Sequence, residues 1–161
     1  RRYQVRAGMR ESDALPRLLH RFMPDFKTLR RRRRPNDYLV LPEGMDSQAV
    51  PDRRSPVFPV PRDSLGLLVK RVALIEPRTV LLTDDEDGCR FLFRQRSRIF
   101  RFPDFITVEC FHAPGDASTM AAWGRARYGI SDRGVNRARL DRWIAAIEAR
   151  LNTCFRRRRG R

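Results

Sequence analysis

Between about Met120 and Leu151 the chain reads as a strand, a glycine-punctuated turn and a helix, and this stretch constrains the fold more than any other. Leu140, Trp143, Ile144, Ile147 and Leu151 recur at helical spacing from about Arg137 to Leu151, with Arg139, Asp141, Arg142, Glu148 and Arg150 mostly outside that stripe. A helix with one apolar stripe must bury it against another layer. The run Ser118 to Arg127, just before it, begins that layer as a strand.

Three earlier runs also read as strands: Arg78 to Thr83, Cys89 to Arg98 and Phe105 to His112. In the last of these Phe105, Thr107, Glu109 and Phe111 alternate with Ile106, Val108 and Cys110, so one face is almost wholly apolar. Phe91 and Phe93 share a face, though the arginines around them keep step less well. The acidic turn Asp84 to Gly88 joins the first two runs, its Asp-Gly pair suiting the positive φ of a hairpin, so neighbouring strands are expected to be antiparallel. A second helix is expected to open on Asp63 or Ser64 as its cap and to carry Leu65, Leu68, Val69, Val72 and Ile75 inward. Pro77 stops it and Gly66 weakens it slightly. The expected domain is α+β over residues 35–152: an antiparallel sheet of about four strands with the Asp63 and Arg137 helices packed on one face.

Both ends are basic. Residues 1–34 form an extension in which Leu15, Leu18, Leu19, Phe22 and Met23 make a short amphipathic helix among Arg10, Arg17 and Arg21, followed by Arg30, Arg31, Arg32, Arg33 and Arg34. Its apolar stripe either packs on the domain core or lies on an anionic membrane or in a docking groove. Residues 153–161 are a tail carrying Arg156, Arg157, Arg158 and Arg159, too charged to fold alone. The six prolines from Pro35 to Pro61 exclude helix there and predict an extended segment wrapped on the domain.

The net charge of +16 over 161 residues attracts nucleic acid, anionic lipid or acidic proteins. The arginines gather in the ends without an aromatic RNA-binding motif or an evident recognition helix, so nucleic-acid binding is expected to be non-specific. Cys89, Cys110 and Cys154 are odd in number and lack metal-ligand spacing, and are read as reduced. No stretch approaches the ~20 apolar residues of a membrane span, and no signal-peptide pattern opens the chain. The expectation is a cytoplasmic chain with the option of membrane-peripheral attachment; what precedes Arg1 is left open.

The segment Trp123-Gly124-Arg125-Ala126-Arg127-Tyr128-Gly129-Ile130-Ser131-Asp132-Arg133-Gly134-Val135-Asn136-Arg137-Ala138-Arg139 resembles the signature of a bacterial and plastid family, domain of unknown function 1499. That signature usually runs Ser-x-Ser-Arg, then Gly-x-x-Asp-x-Gly-Val-Asn-Arg-x-Arg. Pro35 to Val40, Glu76 to Thr79 and Ser97 to Ile106 agree as well, so the resemblance spans about Arg34 to Leu151. It implies no activity, cofactor or catalytic residue. Gly124 and Ala126 stand where serines are usual, so no mechanism using either hydroxyl is expected.

Arg125 and Arg127, two apart on a strand, point to the same side and are candidate anion ligands, together with Arg98 and Arg137. Asp104 and Asp132 are acids within reach of such arginines, and Asn136 is placed as an N-cap of the last helix. Two readings follow: a salt-bridge network that fixes the turn, or an anion cradle made by the helix N–H groups with Arg125, Arg127 and Arg137. His20 and His112 have no partner spacing for a metal or a catalytic triad, and Asp84 to Asp87 reads as a solvated hairpin tip. No cofactor is expected. The preferred expectation is a non-enzymatic accessory or binding domain whose basic ends dock on an anionic membrane surface or a larger protein assembly. A small-molecule anion binder or enzyme using the Arg and Asp cluster is the alternative.

Overall fold

The computed structural model describes residues 23–31, 35–129 and 131–159, the last three as backbone. The expected N-terminal amphipathic helix and Arg32, Arg33 and Arg34 lie outside the described residues. The order is β1 (Asp37–Pro42), β2 (Arg53–Ser55), α1 (Arg62–Ile75), β3 (Thr79–Asp84), β4 (Arg90–Arg96), β5 (Pro103–Ala113), β6 (Ala117–Ala126) and α2 (Val135–Arg159).

The expected four strands are β3 to β6, an antiparallel series. The sheet is larger than expected, with six strands in the order β2-β1-β6-β5-β4-β3, and it is mixed because β1 and β2 run parallel. The two added strands come from the proline-rich segment. Its prolines lie at or beyond the strand ends, where a missing N–H costs no internal ladder bond, and Leu39, Val40 and Leu41 form the buried middle of β1. β1 therefore sits inside the sheet between β2 and β6 instead of wrapping around it.

Both helices pack on one face. Val40, Phe93, Ile106 and Met120 from the sheet meet Leu65 and Val69 of α1 and Leu140, Trp143 and Ile147 of α2 in one buried cluster. Phe93 and Trp143 meet edge to face, with ring centroids 5.6 Å apart. On the opposite face Leu39, Leu41 and Ala121 are covered by Phe26, Leu29 and Ala49.

The start of α1 and the end of α2 differ from expectation. α1 begins at Arg62 after Pro61, with no side-chain cap bond, and Asp63 lies inside its first turn. Fixed near the helical φ, proline suits the entry to a helix without a polar cap. α2 continues past Leu151 to Arg159, so Arg156 to Arg159 extend the helix rather than forming a separate tail. Arginine is a good helix former, and no glycine or proline intervenes before Gly160.

Candidate functional site

The sheet separates the residues that the sequence suggested would meet. On β6 Met120, Ala122 and Gly124 face the helices, whereas Trp123 and Arg125 face the other way. Asp104 lies on the helix side of β5 and bonds α2, so it shares no site with Arg125.

On the helix side, Asp132 is the cap of α2. Its Oδ1 accepts the N–H of Gly134 and its Oδ2 the N–H of Asn136, at 2.9 and 3.0 Å, while its carbonyl accepts from Val135. The proposed cradle is thereby filled from within the chain. Asn136 is not the cap but the second residue of the helix, fully buried. Its Nδ2 donates to Asp132 Oδ2 at 2.7 Å and its Oδ1 accepts from Arg139. Gly124 lies directly beneath it, where an added Cβ would stand 2.5 Å from Asn136 Oδ1.

Arg139, which helical periodicity placed outside the apolar stripe, is buried. Its Nε donates to Gln95 Oε1, its Nη1 to Asn136 Oδ1 and its Nη2 to Asp104 Oδ2. Burial pushes the Asp104 carboxyl above its ordinary range, and the charge and hydrogen bond of Arg139 pull it back only in part. A fully bonded network of this kind fixes the join of turn, helix and sheet.

On the other side, the Arg125 guanidinium lies 4.2 Å from the ring centroid of Trp123, and its Nη1 donates to Thr107 Oγ1 at 3.1 Å. Arg127 lies over Tyr128 at 5.5 Å. Of the basic run, Arg30 is exposed and donates to Gln48, but Arg31 turns inward and donates to Asp37 and Asp52. Arg31 is a buried structural cation rather than a docking residue; two acids within reach outcompete solvent for it. Arg98, Arg137 and Arg156 are exposed, and Arg137 lies 3.8 Å from Asp141.

The feature that sequence reasoning missed is the β4–β5 turn, segment 97–102. It is closed at its base by Ser97 N–H donating to the Phe102 carbonyl and by Phe102 N–H donating to Ser97 Oγ, both at 3.0 Å. Ile99 and Phe100 project from this closed loop, 79% and 72% exposed. Phe100 stacks on Phe102 with centroids 5.5 Å apart, and Phe102 meets Tyr128 at 5.8 Å, so three aromatic side chains form one open patch beside the exposed Ile99 of the same turn. Arg96 precedes this turn and Arg98 and Arg101 lie within it, all exposed. Arg101 holds φ at +56°, a left-handed conformation in which glycine would be less strained. The available signal was Ile99-Phe100-Arg101-Phe102 within a stretch from Cys89 to Pro103 that contains no acidic residue.

Among the described residues, no group of three or more His, Cys, Asp or Glu side chains is gathered as a metal ion would require, and no helix is long and apolar enough to cross a membrane. No family model matches the chain, and no curated protein matches it.

Proposed function

We propose that this domain is a non-enzymatic accessory module that docks on an anionic membrane surface, with segment 97–102 as the part that enters the lipid interface. The observation that carries the reading is the exposure of Ile99 and Phe100 on a closed turn that also exposes Arg98 and Arg101. Apolar side chains of this size gain ~1.5–3 kcal/mol each on full removal from water, and a basic residue near an anionic surface contributes about 1 kcal/mol. The apolar part alone is too small for firm attachment, so the arginines make binding depend on lipid charge. The net charge of +16, to which the basic ends contribute, favours the same kind of surface. The resemblance to domain of unknown function 1499 stands beside this reading as a proposal for the family.

Flotation with phosphatidylcholine vesicles, with and without phosphatidylglycerol, tests it. The chain is expected to float only with the anionic lipid, and the Ile99→Ser, Phe100→Ser double variant to remain at the bottom. Equal flotation of that variant would overturn the role of the tip. Retention of the native chain at the bottom in both gradients would favour docking on a protein assembly instead.

A further inference from the structure

A cavity of about 450 Å³ opens on the face of the sheet opposite the helices, lined by Arg30, Asn36, Trp123, Arg125 and Arg127. We infer that it binds a phosphate group, carried either on a lipid headgroup or on a small soluble phosphate ester. Its size falls within the range of small-molecule sites. Among the described residues Asp37 is the one carboxylate in the lining, and it is already engaged: Oδ1 and Oδ2 accept from Arg31 at 2.7 and 2.9 Å, and Oδ2 also accepts from Trp123 Nε1 at 3.1 Å.

The Arg125 guanidinium lies over the Trp123 indole with its Nη1 held by Thr107, and the planar fork of a guanidinium matches phosphate oxygens. Arg125 and Arg127 keep other contacts as well, so an incoming anion joins an ordered network rather than recruiting loose side chains. Burial pushes the Arg125 guanidinium down to about 10, against the pull of Asp37, and it remains a cation at neutral pH. An added anion would offset that burial. The cavity also adjoins the docking tip, because Arg127 lines it while lying over Tyr128, which touches Phe102.

Trp123 provides the readout, since Trp143 is the only other tryptophan and Trp143→Phe isolates it. Titration with glycerol 3-phosphate is expected to change Trp123 fluorescence saturably. Arg127→Gln should weaken the response about tenfold, the worth of one charge-assisted hydrogen bond. Calorimetry on the unsubstituted chain gives the same test if the Trp143 variant does not fold. No saturable binding by either method, or undiminished binding in Arg127→Gln, would overturn the inference. Ile99→Ser with Phe100→Ser should leave binding of the soluble ester intact, which separates this site from the docking tip. Competition by glycerol 3-phosphate against phosphatidic acid vesicles would identify the headgroup as the source. Soluble binding without such competition would identify a free ester.

Discussion

Arg139 on α2 and Asp104 on β5 meet in the buried layer between helix and sheet, Nη2 to Oδ2 at 2.7 Å, and Gln95 and Asn136 occupy the other guanidinium nitrogens. Removing the cation leaves a buried carboxylate without its counter-charge. Arg139→Met is expected to destabilise the domain by ~3–5 kcal/mol in urea unfolding, the range for breaking a buried pair. A loss within that of a surface substitution, about 0.5 kcal/mol, would contradict the network's role.

Gly124 and Asn136 make the same join from the strand side. A Cβ at position 124 would stand 2.5 Å from Asn136 Oδ1, and Asn136 is held by Asp132 and Arg139 and cannot yield freely. Gly124→Ala is expected to cost ~1–3 kcal/mol, as overpacking does. Thermal unfolding of the single variant and of Gly124→Ala with Asn136→Ala checks this. The pair should lose less than the sum of the two single changes.

Two carboxyls should titrate in opposite directions. Asp104 is raised by burial, so the folded chain holds that proton more tightly than the unfolded one. Its contribution favours the fold in acid and is lost as pH rises from 3.8 through its folded value. Burial resists ionisation of Glu76 too, but hydrogen bonds from Arg142 and Gln95 outweigh it and hold that carboxyl low. Its contribution is present above 4.5 and is lost as pH falls through the folded value. Carboxyl-carbon NMR titration should place Asp104 above 3.8 and Glu76 below 4.5, and Arg139→Met should raise Asp104 further. An Asp104 transition unmoved by that change would contradict the pairing.

Gly66 gives a result opposite to helix propensity. In an exposed helix interior Gly→Ala gains up to ~1 kcal/mol. Here an added Cβ would collide with the backbone carbonyl of Gly88, so Gly66→Ala is expected to destabilise in the same urea assay.

These contacts show where sequence reading reached its limit. β3 to β6 were legible because their alternation survives in the side chains, as in Ile106, Val108 and Cys110. β1 is obscured because six prolines from Pro35 to Pro61 make the segment read as extended and wrapped on the domain, although Leu39, Val40 and Leu41 in it are strand residues of the sheet. Arg139 was placed on the solvent side because a charged residue reads as exposed; only the positions of Asp104, Gln95 and Asn136 make its burial tolerable. Arg125 and Asp104 looked like partners in a linear reading, and strand alternation sets them on opposite faces. Either Asp132 or Asn136 can accept a helix N–H, so the sequence alone does not assign the cap that the structure gives to Asp132.

The central claim is that segment 97–102 enters an anionic lipid interface. Its most direct test is an environment-sensitive fluorophore on Phe100→Cys, compared with the same label on Glu86→Cys in the acidic β3–β4 turn. Cys154, the exposed native thiol, is replaced by serine, and Cys89 and Cys110 are buried. With vesicles containing phosphatidylglycerol, the label at 100 should shift to the blue and be quenched by doxyl-labelled lipid, while the label at 86 should not respond. Quenching at 86 alone, or equal responses at the two positions, would contradict the account.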